Sequence, residues 1–230
     1  MDNVVVRTID RADPLTVAAL GAAGVATVHE AAGKTGLLDP GVRPVQDGAR
    51  IGGSAVTVSC APGDNIMIHA AVEVVAEGDI VVVATTAPAT HGMFGELLAV
   101  SLRSRGCRGL VTDSGVRDVA DLRRMGFPVW SRYVHAQGTD KASPGSVNTP
   151  IVLGGVSINP GDVVIADDDG VVVVSRGSAE DVRLEAQRRL DTEAETRRRL
   201  MSGELGVDLY GLRRRLEDLG VRWVDHPDAG

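Results

Sequence analysis

Aromatic residues and cysteines are scarce in this sequence of 230 residues. Phe, Trp and Tyr together make up 3% of the chain, so the core has to be built from Val, Leu, Ile and Ala. The two cysteines, Cys60 and Cys107, lie in apolar segments without C-x-x-C spacing, which favours buried free thiols over a disulfide or a metal site. We therefore expect a fold without cross-links, in a reducing compartment.

The sequence also lacks a basic surplus and a long apolar run. With 24 basic against 31 acidic residues, no global positive field attracts nucleic acid or anionic lipid. No stretch approaches the ~18 apolar residues of a membrane span, and the first residues resemble no signal peptide. We predict a soluble, cytoplasmic protein that binds neither nucleic acid nor membranes.

Short aliphatic runs that alternate with helical segments indicate an α/β fold. Ser54–Cys60 reads as an alternating strand and Gly109–Thr112 as another strand, and Ile80–Ala84 is an unbroken apolar run of the kind buried on both faces of a sheet. Near the C-terminus the composition changes to a charged helix with few apolar residues. We predict an α/β domain over residues 1–176 and a C-terminal helical arm over residues 177–230 that packs on a neighbouring subunit.

Two strand–loop–helix units follow each other in the middle of the chain. In the first, a loop over Thr85–Phe94 leads into a helix from Gly95, and in the second, a loop over Asp113–Val116 leads into a helix from Arg117. Ligands of open α/β sheets bind at the carboxyl ends of strands, and helix N-termini attract anions. We therefore expect a ligand site between these two loops.

Backbone donors are expected at the start of the first helix. Gly95 carries no side chain where the chain enters the helix, so the N–H groups of Leu97 and Leu98 can point at a carboxylate. The apolar side chains at these two positions do not weaken this interpretation, because the donors belong to the backbone.

Charged groups complete the candidate site. Glu96 and Asp118 offer hard oxygen ligands that suit Mg²⁺ or Mn²⁺. Arg117 offers a permanent charge and a planar fork, which can hold a keto oxygen while it becomes an enolate. The alternative is that Arg117, Asp118 and Asp121 only start a helix, whose first turn favours acidic residues.

Other polar groups have simpler interpretations beside their functional ones. His29-Glu30 lacks a second His at helical spacing, and Asn65 and His69 can be satisfied locally or face a subunit boundary as well as serve a site. Asp167-Asp168-Asp169-Gly170 invites a metal, but Asp-Gly between apolar strands favours a hairpin turn.

At this point a family resemblance is visible. The run GMFGELLAVSLRSRGCRGLVTDSGVRDVADLRRMGFPVW resembles the 4-hydroxy-4-methyl-2-oxoglutarate / 4-carboxy-4-hydroxy-2-oxoadipate aldolase family, in the superfamily that includes RraA-type regulators of ribonuclease E. ADDDGVVVV and MSGELGVDLYGLR extend the resemblance over nearly the whole chain. It implies a class II pyruvate aldolase that needs a divalent metal, Mg²⁺ or Mn²⁺, acts on keto acids and also decarboxylates oxaloacetate.

The resemblance also implies a fold and an assembly. The family has an α/β sandwich similar to the swivelling phosphohistidine domain, assembled as trimers or hexamers with the active site between subunits. A glutamate reaches this site from the C-terminal arm of the neighbouring subunit. Glu193 is the better match for it and Glu195 the second, since the arm has few landmarks.

Individual site residues follow from the same resemblance. Asp118 matches the metal-binding carboxylate, Arg117 the group that contacts the pyruvyl oxygens, and Glu96 an acidic residue that binds the metal through water. The backbone cradle for the substrate carboxylate matches Gly95, Leu97 and Leu98.

The lysines do not indicate a Schiff-base mechanism. Neither Lys34 nor Lys141 lies in an apolar segment that would desolvate an amine for that chemistry.

Two other classes of protein compete with the aldolase. One is a non-catalytic RraA-type regulator that binds a ribonuclease, although the long arm argues against it. The other is a phosphohistidine carrier with His91 as its histidine, but the chain contains no partner domain. The physiological hydroxy-keto acid, the metal and the choice between trimer and hexamer stay open.

Overall fold

A computed structural model of the chain describes residues 3–224. These residues divide into two compact units, the first ending at Gln187 and the second beginning at Arg188. The sequence predicts a different division, into a domain over residues 1–176 and an arm over residues 177–230 that packs on a neighbouring subunit. That division stays a prediction.

Helices and strands alternate along most of the first unit, and the last two helices named below belong to the second unit. The helices are α1 (Pro14–Ala23), α2 (Val25–Ala31), α3 (Ile66–Ala71), α4 (Glu96–Arg103), α5 (Val119–Met125), α6 (Ala179–Met201), α7 (Gly206–Leu209) and α8 (Leu212–Asp218). The strands are β1 (Arg43–Pro44), β2 (Ile51–Cys60), β3 (Asp79–Thr85), β4 (Gly92–Phe94), β5 (Gly109–Val116), β6 (Val129–Val134), β7 (Ser146–Val147), β8 (Ile151–Leu153), β9 (Val156–Ile158), β10 (Val163–Asp167) and β11 (Gly170–Val174).

One mixed sheet organises the first unit. Its strand order is β1-β6-β5-β3-β2-β10-β11, in which β2, β3, β5 and β6 are parallel, β1 is antiparallel to β6, and β10 is antiparallel to both β2 and β11. β4 runs parallel to the end of β5, β7 pairs with β2, and β8 and β9 form a separate hairpin. The carboxyl ends of the four parallel strands therefore lie at one edge of the sheet.

Alternate residues of the central strands enter two different buried clusters. Val81 and Val83 of β3 pack with α3, α4 and α5, whereas Ile80 and Val82 pack with the β8–β9 hairpin. This is the pattern of a sheet covered on both faces. The clusters are largely aliphatic, as the composition predicts. Three of the few aromatic residues are among their fully buried members: Phe94, Phe127 and Trp130.

Asp64 is a residue that can cap a helix, so the sequence predicts one over Asn65–Glu77, and the structure contains a shorter one. α3 ends at Ala71, and the following residues form turns with hydrogen bonds such as Val74 N–H to Ala71 C=O. β-Branched side chains, which follow at once in this stretch, favour helices less. The Asp79 carboxylate then accepts a hydrogen bond from the Ala76 N–H and stabilises the turn into β3.

The boundaries predicted around the two central loops are also wrong in part. β5 continues past Thr112 to Val116, because a bulge between Thr112 and Gly115 keeps it paired with β6. The predicted loop over Thr85–Phe94 contains the short strand β4, which pairs with this extension of β5. The next helix begins at Val119 and not at Arg117, whose N–H donates to the Phe94 carbonyl.

Two local predictions are confirmed. Asp13-Pro14, an N-cap acceptor followed by Pro, predicts a helix start, and α1 does begin at Pro14 with the Asp13 carboxylate accepting a hydrogen bond from the Thr16 N–H. β10 and β11 form the predicted hairpin, in which Asp167 lies opposite Gly170. The Asp167 carboxylate accepts hydrogen bonds from the N–H groups of Val25 and Asp169, so this acidic run is a structural turn.

The second unit contains the end of α6 together with α7 and α8. Ion pairs join Arg199 to Glu204 and Arg213 to Asp208. Several large apolar side chains of this unit are exposed, including Met201 and Trp223. Across residues 3–224, no helix combines the length and the apolar character that crossing a membrane requires.

Candidate active site

A cleft of about 160 Å³ lies at the edge of the sheet where β4 and β5 end. Backbone and side chains from both central loops meet in it, together with α3 and the loop after β6. Its lining residues are Asn65, His69, Gly92, Met93, Gly95, Leu97, Leu98, Arg117, Asp118 and Lys141.

The two predicted loops are joined directly. The Oδ2 atom of Asp118, which follows β5, accepts a hydrogen bond from the backbone N–H of Glu96 at 3.1 Å. The Nε atom of Arg117 lies 3.8 Å from the same oxygen. Asp118 holds the left-handed backbone conformation (φ 57°, ψ 35°), which is uncommon for a non-glycine residue and concentrates at functional sites. The turn thus points Asp118 and Arg117 toward the start of α4.

Glycine is required at two positions beside these charges. A Cβ atom on Gly95 would lie 2.3 Å from the Asp118 Oδ2 atom, and one on Gly92 would lie 2.5 Å from the His135 carbonyl oxygen. Both glycines are buried between β4 and the loops that carry the charges. Here the absence of a side chain allows Asp118 to approach the backbone of α4.

The start of α4 supplies free backbone donors. Its first intrahelical hydrogen bond runs from Ala99 to Gly95, so the N–H groups of Leu97 and Leu98 lie in the first turn, where the helix offers no acceptor. The Leu98 side chain is buried in the core and fixes this turn, whereas the Leu97 side chain is 80% exposed. The geometry suits an anion at the helix start.

Asn65 contributes an acceptor that no group of the described chain satisfies. Its side chain is 7% exposed, and its Nδ2 atom donates to the Met93 carbonyl oxygen at 2.9 Å. Within residues 3–224, its buried Oδ1 atom has no hydrogen-bond partner. A buried acceptor without a partner is costly, so a hydroxyl or water donor in the cleft would satisfy it.

His69 and Lys141 place a neutral and a positive group at the same cleft. Partial burial lowers the pKa of His69 below 6.5, and the charge of Lys141 lowers it further. We therefore expect a neutral imidazole beside an ammonium group at neutral pH. Sequence reasoning missed Lys141 because its Ser- and Gly-rich surroundings indicate only a loop, and nothing in them tells where the loop folds back.

The charged donors fit a divalent cation. The Asp118 carboxylate lines the cleft, whereas Glu96 does not line it but carries a second carboxylate on the turn whose backbone N–H donates to Asp118. Mg²⁺ typically takes one or two protein carboxylates while it keeps several waters. Across the described residues, 3–224, no three His, Cys, Asp or Glu side chains gather as a closed metal centre. A site with an open coordination sphere is the kind that such a pair can build.

Other candidates from the sequence lie away from this cleft or outside its unit. The Nδ1 atom of His29 lies 3.2 Å from the Thr35 carbonyl oxygen, a local contact at the end of α2. His91 contacts Gln137 through its Nε2 atom at 2.9 Å and orders the loop after β6. Glu193 belongs to the second unit, and its predicted role toward a neighbouring subunit stays a prediction.

Comparison with known proteins places this chain in a family. The fold is that of the RraA-like α/β proteins, and the RraA-like family model, described as Aldolase/RraA, matches residues 22–173. The chain belongs to this family. A relative from Halalkalibacterium halodurans, named "Putative 4-hydroxy-4-methyl-2-oxoglutarate aldolase", is 30% identical over 169 residues, which cover 74% of this chain and 80% of the relative.

Solved structures agree with the family assignment. A protein from Pseudomonas syringae pv. tomato superposes with a TM-score of 0.78 at 25% identity, over 86% of this chain and 93% of its own. Streptomyces coelicolor RraAS2, described as an unusual member of the RNase ES inhibitor RraA protein family, gives 0.73 at 29% identity, over 82% and 100%. The predicted fold and the family resemblance are thus confirmed.

Proposed function

We propose that this protein is a divalent-metal-dependent pyruvate aldolase. It would cleave 4-hydroxy-4-methyl-2-oxoglutarate or 4-carboxy-4-hydroxy-2-oxoadipate to pyruvate plus pyruvate or oxaloacetate, and it would decarboxylate oxaloacetate. The observation that carries the proposal is the junction of Asp118 with the start of α4, since it brings a carboxylate, a guanidinium and free backbone donors to one cleft. The name of the relative from Halalkalibacterium halodurans supports the same class, a lyase.

The backbone donors and Arg117 account for recognition of a pyruvyl unit. In the proposal, the N–H groups of Leu97 and Leu98 bind its carboxylate, as expected for an anion at a helix N-terminus. The Arg117 guanidinium donates to the keto oxygen and stabilises the negative charge that develops there as the carbon–carbon bond breaks. Aldol cleavage and β-keto acid decarboxylation both leave the pyruvate enolate, so one arrangement serves both reactions.

Asp118 and Glu96 would hold the cation, Asp118 directly and Glu96 through water. Bound Mg²⁺ or Mn²⁺ supplies Lewis-acid polarisation of the keto group. A glutamate from the arm of a neighbouring subunit would complete the site in a trimer or hexamer. Within its own helix Glu195 is paired with Arg198 at 2.6 Å, which favours Glu193 for this role.

The lining residues from α3, from the residue before it and from the loop after β6 suit the second half of a dicarboxylate. The Lys141 ammonium can pair with a distal carboxylate of the substrate. The His69 imidazole is expected to be neutral, so it adds no charge that competes with this pair. The unsatisfied Oδ1 atom of Asn65 can accept a hydrogen bond from the tertiary hydroxyl. Binding at both ends would hold the scissile bond in place.

Pyruvate release tests the proposal. Purified protein should release pyruvate from oxaloacetate and from 4-hydroxy-4-methyl-2-oxoglutarate with Mg²⁺ or Mn²⁺, and EDTA should abolish the release. Asp118→Ala and Arg117→Ala should each lose both activities. Near-normal rates in EDTA would refute the metal dependence, and inactivity of the wild-type protein on every substrate would refute the aldolase.

A second candidate function is inhibition of a ribonuclease. The similarity to Streptomyces coelicolor RraAS2, all of which aligns with 82% of this chain, favours this candidate. RraAS2 is described as a member of the RNase ES inhibitor RraA protein family. A ribonuclease E-type activity assay with added protein distinguishes the two candidates. Inhibition without pyruvate release would support the regulator.

A further inference from the structure

We propose that Asp64 is a positioning residue that holds Lys141 at the cleft. Asp64 precedes α3 and belongs to neither central loop. The inference deepens the proposed function, because it concerns how the distal carboxylate of the substrate is recognised. It depends on contacts of the loop after β6 that can be measured whether or not the protein is an aldolase.

The Asp64 carboxylate joins this loop to α3. Its Oδ2 atom accepts hydrogen bonds from the N–H groups of Ala142 at 2.6 Å and Ser143 at 2.7 Å. Its Oδ1 atom accepts one from the Ile66 N–H at 3.0 Å. One oxygen therefore stabilises the start of α3, while the other binds the two residues that follow Lys141.

Asp64 is an ionised group in a buried position. The residue is 3% exposed, and burial by itself raises the pKa of its carboxyl. Hydrogen bonds from the N–H groups of Ala142, Ile66 and Ser143 outweigh this effect and place the pKa below its usual value. A carboxylate that accepts several backbone N–H groups is stable in its charged form.

Lys141 lies between two fixed points of the backbone. Before it, the Asp140 N–H donates to the Gly63 carbonyl at 2.9 Å, and the Asp140 carbonyl accepts from the Asn65 N–H at 3.1 Å. After it, the next two N–H groups bind Asp64. The backbone of Lys141 is thus fixed on both sides, although its side chain is exposed.

The fixed backbone around Lys141 reduces the conformational entropy that is lost when a ligand binds. An exposed lysine on a free loop loses backbone and side-chain freedom when it pairs with a ligand. Because Asp64 fixes the loop beforehand, only the side chain of Lys141 has to be ordered. Asp64 touches no substrate in this proposal, and it acts through Lys141.

Asp64→Asn tests the proposal with almost no change in volume. The amide keeps only one acceptor oxygen, so in either orientation an N–H₂ group faces backbone donors that the carboxylate had bound. The loss of the negative charge also weakens the hydrogen bonds that remain. We expect faster hydrogen exchange at these two amides and faster tryptic cleavage after Lys141. We also expect KM for 4-hydroxy-4-methyl-2-oxoglutarate to rise about 10-fold to 100-fold, the value of a hydrogen bond to a charged group, with a smaller change in kcat.

Pyruvate is the probe that lacks a distal carboxylate. Its turnover can be measured by NMR as exchange of the methyl hydrogens in D₂O. KM for pyruvate in this reaction should be the same in Asp64→Asn as in the wild-type protein. Lys141→Ala should raise KM for the aldol substrate as Asp64→Asn does, and the double variant should be no worse than Lys141→Ala. Additive effects, or an equal loss for pyruvate, would overturn the proposal.

Asp162→Asn is the matched control. Asp162 is also a buried carboxylate that accepts backbone hydrogen bonds, from Asn159 at 2.8 Å and Arg176 at 3.0 Å. It does not line the cleft, so its substitution should leave cleavage after Lys141 and KM unchanged. If Asp64→Asn fails to fold, Ala142→Pro removes one donor from the exposed loop and should raise KM in the same way.

The two proposals fail in distinguishable ways. A wild-type protein that turns over no keto acid refutes the aldolase and with it the role in substrate recognition. Unchanged exchange at Ala142 and Ser143 in Asp64→Asn refutes the positioning role even if the aldolase is fully active.

Discussion

The Asp118 carboxylate and the Glu96 backbone N–H are joined by a hydrogen bond of 3.1 Å. This contact links the turn after β5 to the first turn of α4, two segments that are 22 residues apart in sequence. In the proposed function, a cation that binds Asp118 would therefore lie beside the N-terminus of a helix whose free N–H groups would bind the substrate carboxylate. Small displacements between these two turns should affect activity more than stability.

Gly95→Ala should disrupt this contact. The new Cβ atom would lie 2.3 Å from the Asp118 Oδ2 atom, so the carboxylate has to move. A displacement of about 1 Å at a catalytic group costs on the order of 100-fold in rate. We expect kcat/KM for oxaloacetate to fall by about that factor, with normal secondary structure by circular dichroism.

Gly177→Ala is the control for this substitution. A Cβ atom at Gly177 meets only the Ser175 hydroxyl oxygen at 3.9 Å, an ordinary contact. It should leave kcat/KM unchanged. Equal activity of both alanine variants would contradict the geometry proposed for the site.

Arg117→Lys should fail to replace arginine. Lysine keeps the positive charge but lacks the planar fork, and its compact ammonium cannot donate two parallel hydrogen bonds. If Arg117 stabilises the developing enolate oxygen, kcat should fall about 100-fold to 1,000-fold. Steady-state kinetics of oxaloacetate decarboxylation measure it, and a lysine variant within threefold of wild type would show that charge alone suffices.

Much of the fold could be predicted because the aliphatic runs are short and clearly separated. β3 lies within one residue of its predicted bounds, and the β10–β11 hairpin turns at the Asp-Gly sequence that predicts it. The extension of β5 to Val116 was missed because Thr-Asp-Ser-Gly is typical of a loop. Pairing with β4 and β6 overrides that local preference.

The candidate site was predicted less completely than the fold. Gly95, Arg117 and Asp118 lie in loops that follow parallel strands, so topology alone brings them to one edge of the sheet. Asn65 and Lys141 join them through contacts between segments far apart in sequence, such as Asn65 N–H to Asp140 C=O. No local pattern encodes such contacts.

The titration of His69 should report the charge of Lys141. Partial burial and then Lys141 lower the pKa of His69, so the folded state favours the neutral imidazole. Lys141→Met should raise this pKa, though not fully to 6.5, because the burial remains. NMR titration of the His69 ring in both proteins measures it, and an identical pKa would place the ammonium far from the ring.

The lowered pKa of His69 determines how the free energy of unfolding changes with pH. Because the folded pKa lies below the unfolded value, the contribution of His69 is fully present above about pH 6.5 and decreases as the pH falls through the folded pKa. Lys141→Met should therefore reduce the loss of stability between neutral and mildly acidic pH. Urea unfolding at both pH values gives this difference.

The two cysteines should make the protein sensitive to alkali. Burial raises the pKa of Cys60 to about 12 and that of Cys107 to about 11, from an ordinary value of 9.0. The folded state thus favours the neutral thiols, and their contribution is fully present below pH 9 but is lost as the pH rises through the folded pKa values. Urea unfolding should show a smaller loss of stability between pH 8.5 and about 10.5 in Cys60→Ala than in wild type.

Thiol reactivity provides the independent check of this argument. Both thiols are buried and protonated in the folded protein, so a thiol reagent at pH 8 should react with neither until urea unfolds the chain. Rapid reaction of the native protein would mean that the thiols reach solvent. The pH dependence of stability would then need another titrating group, because an exposed thiol has nearly the same pKa in both states.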